Sequence, residues 1–269
     1  YVTSLDMEGI ALAVEFLDDE LETFWSAPCD TASFRKGASS MAAGERKVYA
    51  ESVEAAETFE EGSEASNTAA DCIVDAFARM QAAIVDAEDD LARIDGVAGD
   101  GDHGRGMVKG STFAADAAKA ARERGAAAGS VLKEAGRAWA AKAGGTSGVL
   151  WGSALEAAGE VVGDQAESYD ASLAAKAVKA AYERMLSLGG AHRGDKTMLD
   201  TLIPIRDAFR AENADGKSLR ECLEDALNAG RAGAEYTKTI AARRGRAALI
   251  GPRSIGIEDP GAMSSLIMF

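Results

Sequence analysis

The sequence predicts an all-α protein, and three observations carry that expectation. Apolar side chains recur at steps of three and four residues through most of the chain, the period of one helix face. No run of residues alternates cleanly with β-branched or aromatic enrichment, and only four prolines interrupt the 269 residues. Alanine is abundant, which suits helices packed at short interaxial distances. A chain of this length can bury a sizeable core, as one large domain or as one domain with an appendage.

Taken in order, residues 3–26 read as a helix with Ile10, Val14, Leu17, Leu21 and Trp25 on one face. The chain begins at Tyr1 rather than Met, inside this pattern, and so reads as a piece of something longer. The stretch that follows opens with "APCDTASFRKGASSMAAG", a composition of Ala, Ser and Gly that suits a linker, which we place at 27–64. Residues 65–94 form one expected helix, with Ile73, Phe77, Met80, Ile84, Leu91 and Ile94 on its apolar face. Asp170 is a good N-cap for a helix over 170–188, which Gly189-Gly190 stops. Ser218 and Glu221 have capping-box spacing ahead of Leu219, Leu223 and Leu227. Further helices are expected near 107–123, 129–141, 148–165, 198–213 and 262–269, with Pro204 in the first turns of its helix or kinking it. No fixed-period repeat is present.

Composition excludes several classes of function. A net charge of −15 argues against a broad nucleic-acid surface, and the strongest basic cluster, "ARRGR" at 242–246, is short. No apolar run reaches the roughly 18 residues of a membrane span, and no basic segment followed by an apolar one marks a signal peptide. Cys29, Cys72 and Cys222 are odd in number and form no CxxC pair, so they read as reduced thiols in a cytoplasmic protein.

Four glycine-rich segments stand out from the helical background. The first, "IDGVAGDGDHGRGM" at 94–107, carries Asp95, Asp100 and Asp102, and its glycines are expected to release the backbone from helical geometry. Two readings are open there. One is a solvated acidic turn; the other is a loop where carboxylates converge on a divalent cation that relieves their repulsion. An EF-hand is excluded, because the twelfth position from Asp100 is Ser111 rather than Glu. The second segment, "AGGTSGVLWG" at 143–152, places Gly144, Gly145, Thr146 and Ser147 ahead of an apolar helix, where backbone N–H groups could cradle an anion or the glycines could serve only a tight turn. It lacks the Gly-Lys-Ser/Thr ending of a Walker A loop.

The third, "GGAHRGDKTMLDTLIP" at 189–204, carries Asp195, Lys196 and Thr197 before another helix, with Asp or Thr as a candidate N-cap. Met198 beside it could pack on an aromatic base or in the core. The fourth, "RRGRAALIGPRSIGIEDPGAMSS" at 243–265, holds Arg243, Arg244, Arg246 and Arg253 and closes on the turn Asp259-Pro260-Gly261. Arginine suits bidentate phosphate contact, and equally offsets an acidic surface. His103 and His192 both sit in these loops, but without cysteine partners they make no zinc signature, and no Gly-x-Ser-x-Gly elbow occurs.

Together, "DGVAGDGDHG", "GGTSGVLWG", "GDKTMLDTLIP" and "GRAALIGPRSIGIEDPGAMSS", in this order, resemble the nucleotide-binding L domain of the dihydroxyacetone kinase family over about 65–269. Residues 1–26 resemble the C-terminal end of that family's ketose-binding K domain, with 27–64 as the linker. The resemblance implies a barrel of eight antiparallel helices with ADP or ATP at one rim, preceded by an N-terminal helix and linker. It implies Asp95, Asp100 and Asp102 as ligands of two Mg2+ ions and as catalytic groups together with Arg246. His103, Gly104, Arg105 and Gly106 follow as nucleotide contacts. Gly145, Thr146 and Ser147 fall on the phosphate side, Gly189 and Met198 on the adenine side, Arg246 beside the phosphates, and Asp259, Pro260 and Gly261 at the site's closure.

Against the family pattern, Arg105 and Gly106 replace residues that vary, Pro252 stands for a frequent Glu and Ile257 for a common polar residue, near the ribose lid. The activity implied is ATP-dependent phosphorylation of a short ketose, dihydroxyacetone or a tetrulose such as erythrulose. The ketose would be held by a K domain that this chain lacks, in a full-length form that dimerises. Two other classes compete: an ADP-carrying subunit of a phosphotransferase-system relay, and a non-catalytic helical regulatory domain. An FAD-cyclising side activity is also known among such domains.

Overall fold

The computed structural model describes residues 16–30, 35–36, 58–209 and 216–269, and the chain divides into a unit up to Glu57 and a unit from Thr58 to Phe269. In the first unit, helix α1 (Asp19–Ser26) starts where the Asp18 carboxylate accepts the Leu21 N–H at 2.8 Å. The continuous helix expected over 3–26 is therefore corrected: residues 16–18 are not helical, because Asp18 caps a fresh start, and Ile10 and Val14 lie outside the described residues. Leu17, Leu21 and Trp25 are exposed in this unit. Two two-residue strands that the sequence did not suggest, β1 (Cys29–Asp30) and β2 (Arg35–Lys36), pair antiparallel.

The second unit is helical throughout. Its helices are α2 (Glu64–Asp86), α3 (Glu88–Ala98), α4 (His103–Glu123), α5 (Ala128–Ala143), α6 (Gly145–Val162), α7 (Ala171–Gly189), α8 (Leu199–Ala208), α9 (Leu219–Tyr236) and α10 (Pro260–Met268). Residues 58–63, the end of the stretch with linker composition, are packed: Ser63 N–H reaches the Asp164 carbonyl at 2.9 Å and Arg124 lies over the Phe59 ring. Ser63, Asp170 and Asp259 cap α2, α7 and α10 through their side chains, and Ser218 with Glu221 forms the full capping box expected of α9. No helix among the described residues is long and apolar enough to cross a membrane.

Two boundaries differ from the sequence expectation. The helix expected over 65–94 breaks at Ala87, whose N–H is shared among the carbonyls of Ala83, Ile84 and Val85, and α3 restarts on Glu88, Asp89 and Asp90. Acidic residues in a first turn complement the helix dipole, which favours that restart. The segment 94–107 is also far more helical than its glycines suggested. Gly96 lies within α3, and Gly104 and Gly106 lie within α4, so only residues 99–102 are free of helix and only Gly101 has positive φ (+76). Packing of both helices overrides the modest cost of glycine in a helix. Pro204 lies inside α8, which ends at Ala208 rather than 213, with residues 210–215 outside the described set.

Helices α2 and α4 to α9 pack side by side, and α10 closes the ring against α2 and α8, giving the eight-helix antiparallel barrel with α3 as a short addition. Trp139, Ile84, Leu91, Phe209 and Ile205 are fully buried, and the Trp139 and Trp151 rings pack tilted at 6.3 Å. A cavity of about 300 Å³, lined by residues such as Phe77, Trp151, Tyr182 and Met185, occupies the barrel interior.

Glycines on both sides line the seam between α5 and α6. A Cβ on Gly136 would lie 2.6 Å from the Gly152 carbonyl and one on Gly152 2.6 Å from the Gly136 carbonyl; Gly129 and Gly159 face each other in the same way at 2.7 and 2.6 Å. The two pairs lie a heptad apart on each helix, so one stripe of glycines lets the backbones touch. Replacing Gly136 or Gly152 by Ala should cost about 1–3 kcal/mol through overpacking. Thermal unfolding should then shift down by roughly 2–4 °C per kcal/mol. Gly96→Ala, where nothing lies within 4 Å of the added methyl, should leave the melting temperature equal or higher.

Candidate functional site

Antiparallel packing decides where the four glycine-rich segments end up. Helices joined in alternating direction start at the same rim every second time, so the starts of α4, α6, α8 and α10 share one end of the barrel. The four segments singled out in the sequence are the four junctions at that rim: α3 to α4, α5 to α6, α7 to α8, and α9 to α10.

At the first junction, Asp95 lies in the last turn of α3 and is buried, while Asp100 and Asp102 are half exposed in the short turn that follows. Each offers a carboxylate oxygen within 4.8 Å of the others. Gly99 has no room for a Cβ, because the Asp95 carboxylate folds back across its own helix end, where it also accepts the His103 N–H at 3.2 Å. Arg246 crosses from the fourth junction: one guanidinium nitrogen pairs with Asp100 and the other with Asp102 at 3.1 Å. His103 turns away from this cluster, its Nε2 lying 2.9 Å from the Ser264 hydroxyl of α10. Burial holds the His103 pKa below the ordinary imidazole range, opposed by the nearby Asp95 carboxylate and a hydrogen bond to the Pro260 backbone.

The remaining sequence candidates distribute around the same rim. Gly104 is buried and a Cβ there would collide with the Glu88 carbonyl, so its lack of a side chain lets α4 approach α3; Gly106 has open space and Arg105 is exposed. Gly144 (φ +71) and Gly145 (φ +64) start α6 with no side-chain cap, leaving Thr146 and Ser147 in a first turn whose N–H groups point outward along the helix axis. Gly189 ends α7 beside Leu150, and Met198 stands just before α8, its Cβ 3.6 Å from where a Cβ on Gly261 would be. Asp259 caps α10 by accepting the Ala262 N–H at 2.8 Å, and Pro260 opens that helix. Thr146, Ser147 and Gly189 lie at the neighbouring α5–α6 and α7–α8 junctions of the same rim.

Sequence reasoning missed a buried polar network behind this surface. Lys196, 2% exposed, donates from Nζ to the carbonyls of Thr237, Ser254 and Ile257 at 2.6–2.7 Å, and Asp200, equally buried, accepts the N–H groups of Gly194 and Thr197. Thr237 Oγ1 accepts the Asp259 N–H at 3.0 Å, and Thr201 donates to the Ala262 carbonyl at 3.0 Å. No periodicity marks these residues, because their partners are backbone groups distant in the chain; polar Asp200 and Thr201 in the core-facing turn of α8 were the one visible signal.

The model of the DAK2 domain family matches residues 97–269. The chain is 45% identical over 267 residues to the D-erythrulose kinase of Mycolicibacterium smegmatis, covering 98% of this chain and 46% of that protein. It is 47% identical over 265 residues to the L-erythrulose 1-kinase of the same organism, with the same coverages. The chain thus spans about half the length of these curated relatives. Among solved structures, the dihydroxyacetone kinase from C. freundii in complex with AMP-PNP and Mg2+ superposes with a TM-score of 0.58 at 22% identity, over 94% of this chain and 41% of that one.

Asp259 offers a local test of the closure. Burial raises its pKa from 3.8 to about 7, against the opposing pull of the Ala262 N–H and of Lys196. A carboxyl whose folded pKa lies above its unfolded value favours folding at low pH, and that contribution is lost as pH rises from about 4 towards 7. The carboxamide of Asp259→Asn keeps an acceptor for the cap and does not titrate. Urea unfolding across that window should therefore show stability falling more steeply in wild type than in the variant; parallel curves would contradict a neutral buried carboxyl.

Proposed function

The chain belongs to the DAK2 domain family, and from that premise we propose that it supplies the Mg2+–nucleotide half of an ATP-dependent kinase for a short-chain ketose. The observation that carries this reading is the cluster of Asp95, Asp100 and Asp102 with Arg246 at a rim where α6 also presents an uncapped start. The donor set fits Mg2+: every ligand atom is a hard carboxylate oxygen, one ligand is buried, and the two half-exposed ones leave room for phosphate oxygens and water. Asp95, Asp100 and Asp102 would hold two ions, which when bound supply charge neutralisation between phosphate groups.

This chain's own groups do the rest. Arg246 offers its planar fork to the transferring phosphate, exchanging carboxylate partners for phosphate oxygens. The first-turn N–H groups at Gly145, Thr146 and Ser147 take phosphate oxygens at the positive end of α6. Gly189 and Met198 border the adenine, His103, Gly104, Arg105 and Gly106 line the nucleotide along α4, and Asp259, Pro260 and Gly261 close the pocket. Phosphoryl transfer needs alignment and charge neutralisation more than covalent chemistry, which a rim built of helix starts can provide.

The acceptor is proposed as erythrulose, or dihydroxyacetone as the smaller member of the same ketose class. Identities of 45% and 47% to two erythrulose kinases support the tetrulose, and their alignment over 98% of this chain favours a kinase with a joined ketose domain over a stand-alone relay subunit. In this reading residues 1–26 end a ketose-binding domain, 27–64 link it, and 65–269 bind ATP, with dimerisation through the ketose domain.

Calorimetric titration should show ADP binding that requires Mg2+, and Asp100→Ala should weaken it at least about tenfold by leaving the remaining carboxylates without a full ligand set. Wild-type affinity in that variant would sink the metal assignment. Without a ketose-binding domain to orient the acceptor, the chain should turn over erythrulose at no more than about 1% of the rate of the joined protein. A coupled ADP-release assay on both forms, across both erythrulose enantiomers and dihydroxyacetone, checks this, and equal rates would refute the division of labour.

A further inference from the structure

We infer that Lys196 is a positioning residue for Arg246, acting through the base of the loop that carries it; the inference rests on the nucleotide reading above. The loop runs from Ala242 to Ser254, within the size range of compact Ω-loops. Its tip is poorly supported by packing: Leu249 is 88% exposed, and Arg246 reaches out to Asp100 and Asp102. Its base is densely hydrogen-bonded.

The Lys196 ammonium gathers carbonyls from both flanks of this loop, Thr237 and Ile240 before it and Ser254 and Ile257 after it, the Ile240 contact being longer at 3.3 Å. Three N–H protons match the three short contacts, and a point-like cation suits carbonyls converging from several directions. A second closure lies beside the first. Ser254 Oγ accepts the Ala242 N–H at 2.9 Å and donates to the Gly251 carbonyl at 2.7 Å, and Gly256 N–H reaches the Lys238 carbonyl at 2.8 Å.

The other end of the clamp is held as firmly. Lys196 is the one non-glycine residue with positive φ (+62) among the described residues, and Asp200 pins the N–H groups on either side of it, at Gly194 and Thr197. The neighbouring Asp195 carbonyl accepts the Arg243 N–H at 3.0 Å, tying the same turn directly to the loop. An unfavourable backbone conformation kept by surrounding hydrogen bonds is a feature of sites where position matters. Without the cation, four inward carbonyls would be left facing one another, and the base would open to water. Ile257 enters this network through its carbonyl alone, so the departure of its side chain from the common family residue leaves the clamp intact.

The test is a double-mutant cycle read by Mg-ADP titration on the 269-residue chain, with wild type, Lys196→Met, Arg246→Ala and the double variant. Lys196→Met and Arg246→Ala should each weaken binding about tenfold, and the double variant should be within about twofold of Arg246→Ala, because the lysine acts through the arginine. Lys196→Arg should fail to restore affinity, since a planar fork cannot serve converging carbonyls. Tryptic cleavage after Arg243, Arg244 or Arg246 should accelerate in Lys196→Met while the overall melt stays cooperative.

Additive losses would overturn the inference, as would an Arg246→Ala variant of wild-type affinity beside an inactive Asp100→Ala, which would leave the nucleotide reading standing. Absence of Mg-ADP binding by wild type would overturn that reading and this inference together. If Lys196→Met does not fold, Lys196→Gln takes its place in the cycle. Failure of both to fold would show a residue of the core rather than of the site, and would overturn the assignment.

Discussion

The alternation of helix direction is the constraint on which the site depends. Neighbouring helices run antiparallel, and a closed ring of them has two rims with separate sets of junctions. All four chemically distinctive segments fall at one rim. The glycine seam between α5 and α6 shows how closely that ring is drawn: two backbones meet at carbonyl contact, where any side chain would push the two helices apart. The fold thus brings together residues more than 140 positions apart, such as Asp102 and Arg246, through the packing of helices.

Charge at this rim is arranged in two layers. Outside, the half-exposed Asp100 and Asp102 face Arg246 beside the buried Asp95, where water, metal ions and phosphate can compete for them. Inside, Lys196 is buried among carbonyls and the Asp200 carboxylate at backbone N–H groups, with the Asp259 carboxyl, its pKa raised by burial, capping α10 beside them. Exposed pairs of this kind are weak and exchangeable. Buried charges persist only where every polar partner is in place, so they hold geometry rather than exchange it. The nucleotide site we propose requires both properties, and the two layers separate them.

Much of the helical architecture was legible in the chain. Capping at Asp170 and the Ser218/Glu221 box are local signals, readable because cap and partner lie three residues apart. Boundaries were misread where tertiary packing outweighed local preference. Composition marks Gly96, Gly104 and Gly106 as breakers, yet each sits in a helix held by its neighbours. The break at Ala87 was invisible because nothing in its composition resists a helix; the turn is made by a bifurcated N–H and a new acidic start.

By itself, the sequence determined the helical class, the four special segments and their acidic and basic side chains, because period, capping and glycine content act over a few residues. Only the tertiary structure decided that these segments share a rim, that Asp95 is buried while Asp100 and Asp102 are open, and that Lys196 is a clamp rather than one more surface cation. The physical reason is that a buried ammonium is defined by acceptors it meets across 41 to 61 residues of chain. No local pattern encodes which backbone carbonyls will turn inward to meet it.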